Sequence, residues 1–209
     1  MKRQKFFKFN FKKNTNDYNF YVNSTNQNAY DGIINSNNSG IFLTGPKKSG
    51  KTSLGSIWMK KFDSIIYDKN FKTIINSKKN VLIDNLQNID DEEQIFHIIN
   101  YCYSYKLNFL IISNKEIDKI NFRLKDLISR LKALDYFEIS NPDDDMLLNI
   151  LTKQFVDKQF VINSYEIFQY IIKHSNRSYL NMINIVNKLD TLSLEKKRQL
   201  TIPLIKEIL

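Results

Sequence analysis

The feature that most constrains this chain is the segment GPKKSGKT at residues 45–52. It fits the pattern GxxxxGK[ST], directly after the apolar run GIFLTG and before a predicted helix. The glycines let the backbone wrap tightly, so that its N–H groups and the helix N-terminus can point at phosphate oxygens. The pattern predicts a nucleotide-binding P-loop formed by Gly45, Pro46, Lys47, Lys48, Ser49, Gly50, Lys51 and Thr52.

Four residues indicate how a bound nucleotide would be held and hydrolysed. We expect Lys51 to reach the β- and γ-phosphates and Thr52 to hold Mg²⁺. Asp84, in the run NVLIDN, is expected to bind Mg²⁺ directly or through water. Many ATPases of this organisation have a glutamate after this aspartate, whereas Asn85 cannot act as a base. The sequence therefore predicts that ADP or ATP is held with Mg²⁺ and that intrinsic hydrolysis is slow.

The hydrophobic pattern predicts an α/β fold. Apolar runs indicate buried strands at 40–45, 64–68, 80–85, 107–114 and 135–140. Helical spacing indicates one helix before the first strand, at about 27–35, and others between the strands at about 51–61, 91–106 and 121–134. Alternating strands and helices predict a parallel sheet covered on both faces.

After residue 140 the pattern becomes entirely helical. We predict a helix in 141–159, with Asn141 as its N-cap and Pro142 in its first turn, followed by three more helices. These lie at about 163–174, 178–191 and 202–209. The expected organisation is an extended arm at 1–16, an α/β nucleotide-binding domain at 17–140 and a small all-helical lid domain at 141–209.

Composition narrows the class of protein. No segment approaches the ~18 continuous apolar residues of a membrane helix, and the basic N-terminus lacks the apolar core of a secretion signal, so we expect a cytoplasmic protein. A single cysteine, Cys102, excludes an internal disulfide. The net charge of +9 fits an acidic partner such as nucleic acid, nucleotide phosphate or an acidic protein, and it also fits the composition of an AT-rich genome.

Two polar residues outside the P-loop are further candidates. Asn114 ends the predicted strand LNFLIISN, so it faces the nucleotide crevice, where it could orient a water or contact the γ-phosphate. The alternative is an ordinary turn-forming asparagine. Arg130, in LKDLISRL, lies among other basic residues, and a solvated helix face is its alternative.

These motifs resemble the AAA+ domain of the bacterial replication initiator DnaA and, more narrowly, the DnaA-related Hda family, over residues 17–209. The segment DYNFYVNSTNQNAY is similar to the family's box before the P-loop, which lies near the adenine in relatives. The close of the chain, NKLDTLSLEKKRQLTIPLIKEIL, resembles the Hda terminus, and the pair Asp84-Asn85 resembles an Asp-Asn pair of Hda relatives. The matching positions of the box are Phe20, Val22, Asn26 and Ala29.

The resemblance implies roles for several residues. Phe20 and Val22 would contact the nucleotide, Asn114 would be the first sensor of the phosphate, and Arg130 would be an arginine finger that acts in trans. The family's second sensor is an arginine on a lid helix, and the DnaA register places Leu180 there. Arg177, one turn earlier on about the same face, either substitutes for it or merely begins the helix.

The N-terminal arm resembles the clamp-binding peptide of the Hda family. In QKFFKF the matching positions are Gln4, Phe7 and Phe9, whereas Lys5 departs from the common leucine. Peptides of this type insert apolar side chains into a preformed groove. A disordered basic tail is the alternative.

The function implied by the resemblance is regulation of replication initiation. A chain of this family, bound to ADP and docked on the DNA polymerase III sliding clamp (the beta subunit), would stimulate ATP hydrolysis by DnaA and prevent re-initiation. DNA would be reached indirectly through the clamp, no membrane would be involved, and homo-oligomerisation stays open. Because the chain ends after the helical segment, we expect no helix-turn-helix domain and no direct recognition of the origin.

Three other functions remain open at this stage. A DnaA-related AAA+ helicase loader or another replication adaptor would share the loop, the lid and the finger. A small-molecule kinase or free-standing ATPase would need a base and a substrate lid, which Asn85 and the small helical lid disfavour. Direct DNA binding through the positive charge would give a DNA affinity with steep salt dependence.

Overall fold

The computed structural model describes residues 20–36, 39–160, 164–196 and 199–209. Within these residues, five strands form one parallel sheet in the order β2-β3-β4-β1-β5. This confirms the predicted α/β class, and each of the five predicted strands is present in a shorter form. The strands are β1 (Gly40–Thr44), β2 (Ser64–Ile66), β3 (Asn80–Ile83), β4 (Phe109–Ile112) and β5 (Asp135–Glu138).

The two central strands are buried along their whole length. Every residue of β1 and of β4 is buried, as expected for parallel strands whose two faces are both covered by helices. In β1, Phe42 lies opposite Ile111 of β4 on one side and opposite Tyr136 of β5 on the other. Because all strands run in the same direction, their carboxyl ends meet at one edge of the sheet and their amino ends at the other.

In the part of the chain that the structure describes, five α-helices accompany the sheet, and one of them was not predicted. That helix spans Phe71–Ser77 between β2 and β3 and begins where the Asn70 side chain accepts a hydrogen bond from the N–H of Lys72. Its apolar residues Phe71, Ile74 and Ile75 have helical spacing, but seven residues are too few for that spacing to identify a helix. The five are α1 (Gln27–Asn35), α2 (Lys51–Lys61), α3 (Phe71–Ser77), α4 (Glu92–Ser104) and α5 (Lys125–Lys132).

The C-terminal part is helical, as predicted, with a different start. The Asp143 carboxylate, and not Asn141, caps the first helix, because it accepts a hydrogen bond of 2.8 Å from the N–H of Met146. Pro142 therefore precedes the helix, and the predicted cap was wrong. The helices are α6 (Asp144–Asp157), α7 (Glu166–His174), α8 (Tyr179–Lys196) and α9 (Ile202–Lys206).

Three apolar clusters hold these layers together. One lies between the sheet and α3, α4 and α5, a second lies between the sheet and α1 and α2, and the third fills the helical part. Cys102 is fully buried in the first cluster, where burial raises the pKa of its thiol to about 12, so this cysteine packs as an apolar residue. Within the described residues no helix is both long and apolar enough to span a lipid bilayer.

A packing test of the fold is available at Gly40, the first residue of β1. A Cβ atom there would lie 2.5 Å from the Phe109 ring and 2.7 Å from Leu134. Both neighbours are buried and closely packed, so we expect Gly40→Ala to lower the free energy of unfolding by about 1–3 kcal/mol in urea titrations. The control Ser56→Ala, at an exposed helical position, should change it by less than about 0.5 kcal/mol. Equal stability of the two variants would show that the residues around Gly40 can accommodate a Cβ atom without loss of stability.

Candidate functional site

The predicted P-loop lies between β1 and α2, at the carboxyl edge of the sheet. Its two glycines have positive φ angles, 148° at Gly45 and 95° at Gly50. A Cβ on Gly45 would lie 2.7 Å from the carbonyl oxygen of Ile139, and one on Gly50 would lie 3.0 Å from the Phe20 ring. Glycine is therefore required at both positions by backbone conformation and by close approach.

Lys51 is turned into the loop. Only 8% of its surface is exposed, and its Nζ donates hydrogen bonds to the carbonyl oxygens of Gly45 (2.8 Å) and Pro46 (2.7 Å). Burial lowers the pKa of its ammonium from 10.5 to about 8, and the Asp84 carboxylate opposes this change. The loop thus holds a cation in its centre by backbone carbonyls.

The two predicted magnesium ligands are brought together. The Thr52 hydroxyl donates a hydrogen bond of 2.8 Å to Oδ2 of Asp84, whose Oδ1 accepts one of 2.7 Å from the N–H of Asn85. A hydroxyl and a carboxylate are the hard oxygen ligands that Mg²⁺ prefers. In the loop itself, the Ser49 hydroxyl is buried and has no hydrogen-bond partner among the described residues. These groups fit a Mg²⁺–nucleotide.

The ends of β3 and β4 are joined by Gln87, which sequence reasoning missed. Its Oε1 accepts hydrogen bonds from the Ser113 hydroxyl (3.0 Å) and from the N–H of Asn114 (3.1 Å), and its Nε2 donates to Asn85 (3.3 Å). Asn114 is half-buried next to the Asp84 strand, at the crevice where it was predicted. In the sequence, only the short distance of three residues between Asp84 and Gln87 could have indicated that Gln87 contacts the end of β4.

The box before the P-loop packs on it. The Phe20 ring lies against Gly50 and stacks on Tyr30 at 6.0 Å between ring centroids. Val22 is also buried in the same apolar cluster. Phe20 therefore lies beside the phosphate loop, and Val22 packs in the apolar cluster to which Phe20 belongs.

The box is also tied to the first helical residues after β5. The Asp143 carboxylate accepts hydrogen bonds from the Asn23 amide (2.9 Å) and from the Ser24 hydroxyl (2.8 Å). Burial disfavours the charged form of Asp143, but these bonds and the one from Met146 N–H outweigh it and lower the pKa of the carboxyl. Sequence reasoning treated this aspartate only as one of three helix-start acids, because its partners lie about 120 residues away.

Two tyrosines extend the link between the box and the helical part. The Tyr21 hydroxyl donates to Asp145, and burial together with this carboxylate raises the pKa of Tyr21 to about 12. On α8, the buried Tyr179 hydroxyl donates to the carbonyl of Ser140 (3.1 Å) and lies 3.4 Å from the Thr25 hydroxyl. The box, the segment after β5 and two lid helices are therefore one hydrogen-bonded unit.

The two arginines that were considered for phosphate contact have different surroundings. Arg177, just before α8, pairs with Asp144 in the first turn of α6, whereas the register position Leu180 is an exposed leucine. Arg130 is exposed in the last turn of α5, with its guanidinium carbon 5.8 Å from the centre of the Tyr103 ring.

Arg130 lies at the opposite edge of the sheet from the P-loop. Tyr103 packs edge-on against Phe109, the first residue of β4, with 5.4 Å between ring centroids. The P-loop follows the last residue of β1, so the strand length separates the two features. Gln4, Phe7 and Phe9 of the predicted clamp peptide lie outside the described residues.

Residues 143–209 match the family model described as Hda, lid domain. Over 187 aligned residues the chain is 26% identical to a protein of Haemophilus influenzae described as uncharacterized, covering 81% of this chain and 80% of that one.

Solved structures show the same fold. Domain III of the Thermotoga maritima replication initiation protein DnaA has a TM-score of 0.73 and 17% identity, with 91% of this chain and 93% of that chain covered. AMPPCP-bound DnaA from Aquifex aeolicus has a TM-score of 0.65 and 19% identity, with 86% and 67% covered. The α/β part therefore has the AAA+ fold of these proteins, and residues 143–209 are similar to the lid domain of the Hda family.

Proposed function

We propose that this chain binds ADP or ATP and regulates replication initiation by stimulating ATP hydrolysis on DnaA in trans. The observation that carries the proposal is the position of Arg130. This arginine is exposed, no carboxylate pairs with it among the described residues, and it lies across the sheet from the chain's own P-loop. A guanidinium in that position cannot reach its own nucleotide and is available to another molecule's nucleotide.

The chain's own nucleotide would be held and hydrolysed slowly. Lys51 would contact the phosphates, and Thr52 and Asp84 would hold Mg²⁺, which neutralises charge on the phosphate oxygens when it is bound. Asn114 would contact the γ-phosphate or a water beside it. The exposed Asn85, with a left-handed backbone (φ 56°), cannot remove a proton from water.

The trans mechanism follows from phosphoryl-transfer chemistry. Negative charge on the transferring γ-phosphoryl group and the leaving oxygen grows as the bond breaks, and an arginine from a neighbouring molecule stabilises that charge. Such an arginine contributes about 10³–10⁵ in rate. In this proposal Arg130 supplies this stabilisation to the ATP that is bound to DnaA. Once that ATP is hydrolysed, the initiator is inactive.

Two further parts of the proposal concern the lid and the arm. Arg177 would act as the second sensor by exchanging its partner Asp144 for a nucleotide phosphate. Gln4, Phe7 and Phe9 would insert into a groove of the DNA polymerase III sliding clamp, which brings the regulator to DNA without direct DNA contact.

Arg130→Ala tests the central step. ATP-loaded DnaA from the same organism is mixed with DNA-loaded clamp and this protein, and phosphate release is measured. We expect wild-type protein to accelerate release, and Arg130→Ala to reduce the acceleration by about 10³-fold or to background. Nucleotide affinity should be unchanged, because Arg130 lies far from the P-loop.

Arg123→Ala is the matched control, since it removes another exposed arginine close to α5. It should accelerate release like wild type. If Arg130→Ala also does so, the finger assignment is wrong. If wild-type protein binds nucleotide but has no effect on DnaA, the AAA+ helicase loader becomes the better reading.

The low pKa of Lys51 predicts proton uptake on nucleotide binding. With a pKa of about 8, Lys51 is mostly neutral at pH 9, and bound phosphate favours the charged form. We expect uptake to rise from roughly 0.1 proton per ADP at pH 7 to roughly 0.9 at pH 9, with affinity weakening as pH rises above 8. Calorimetry in two buffers of different ionisation enthalpy measures the uptake. Equal uptake at both pH values would mean that Lys51 is charged throughout.

The arm can be tested separately from the finger. Gln4→Ala combined with Phe7→Ala should lower retention on immobilised clamp, while nucleotide binding stays at the wild-type level. Phe6→Ala changes a neighbouring phenylalanine outside the matched positions and is the control. If the double variant is retained on the clamp as well as wild type, the arm is only a basic tail and not a clamp-binding peptide.

A further inference from the structure

The surroundings of Arg130 show how a flexible side chain could be kept ready for a partner. Arginine has several rotatable bonds, and an exposed arginine at the end of a helix loses entropy when it is fixed. Two other exposed cations nearby are fixed by carboxylates: Lys132 pairs with Asp118 at 2.6 Å, and Lys119 pairs with Glu116. Arg130 is placed instead over the ring of Tyr103.

The ring differs from a carboxylate in its effect on the guanidinium. A carboxylate would occupy the N–H donors of the arginine and cancel its charge. An aromatic face attracts the cation while leaving the donors at the edge of the guanidinium free. Arg177 is the contrasting case, because its guanidinium is paired with Asp144.

Tyr103 is itself held in place by the core. It lies in the last turn of α4, its ring packs at 88° against the fully buried Phe109, and 37% of its surface remains exposed. Burial raises the pKa of the Tyr103 phenol, and Arg130 works in the opposite direction, so the ring and the guanidinium interact. The chain of contacts therefore runs from β4 through Tyr103 to Arg130.

We propose that Tyr103 is a positioning residue, which holds the Arg130 guanidinium in the orientation in which it enters the nucleotide site of the partner. The role rests on the proposed function and adds to it a residue that would contact neither nucleotide. Positioning of this kind lowers the entropy lost in the transition state, so it acts on the rate within the assembled complex. The affinity of the two proteins for each other should depend on it much less.

Three variants distinguish the effect of the Tyr103 aromatic ring from other effects of substitutions at the end of α4. Tyr103→Phe keeps the aromatic face, and Tyr103→Leu removes it while retaining an apolar contact with Phe109. Tyr105→Leu is the matched control, because Tyr105 is 63% exposed in the same region and packs on Tyr101. Each variant is titrated into the phosphate-release assay with ATP-loaded DnaA and DNA-loaded clamp.

We expect Tyr103→Leu to lower the maximal rate about 3- to 30-fold at an unchanged half-saturating concentration. Tyr103→Phe and Tyr105→Leu should stay within about 2-fold of wild type. Nitrogen-15 relaxation at Nε of Arg130, measured on the regulator alone, should report greater motion in Tyr103→Leu only. If Tyr103 had only a structural role, Tyr103→Leu would instead lower the thermal stability of the protein, and its loss of rate would follow that loss of stability.

The outcomes distinguish this proposal from the function on which it rests. If Arg130→Ala loses stimulation while Tyr103→Leu keeps the wild-type maximal rate, the positioning role is wrong and the finger stands. If Tyr103→Phe is as slow as Tyr103→Leu, the hydroxyl and not the aromatic face is responsible, and the proposal also fails. If Arg130→Ala stimulates normally, the proposed function fails, and the role of Tyr103 fails with it.

Discussion

Strand β1 is hydrogen-bonded to a parallel strand on each side, β4 and β5, and the rest of the molecule depends on this pairing. Parallel pairing sends every chain reversal through a helix, so both sheet faces are covered and the strands can be apolar throughout. It also collects all carboxyl ends at one edge. The P-loop, Asp84 and Asn114 come from three strands and meet there for that reason alone.

The same pairing places the amino ends of the strands at the opposite edge of the sheet. The amino ends of β4 and β5 lie beside the last turns of α4 and α5, where Tyr103 and Arg130 meet. Two arginines in one chain thus have different electrostatic settings. Arg177 is neutralised by Asp144 near the helical part's start, whereas Arg130 keeps its charge on an aromatic ring.

Local patterns in the sequence were sufficient for the strands, most helices and the P-loop, because each depends on residues close together in the chain. Helix α3 escaped prediction because it has only seven residues, which is too short for its apolar spacing to identify a helix. The cap of α6 was assigned to Asn141 because Asp143 could not be seen to face Asn23 and Ser24. Gln87 and Tyr103 were missed for a related reason, since their partners come from other elements of the fold.

The hydrogen bonds between the box and Asp143 limit how the helical part can move. A rotation of α6 relative to the sheet must break the bonds to Asn23 and Ser24 or carry these residues along. Three residues before Asn23, Phe20 rests on Gly50 of the phosphate loop. The helical part and the phosphate loop are therefore linked through the box, and the lowered pKa of the Asp143 carboxyl favours the charged form that accepts these hydrogen bonds.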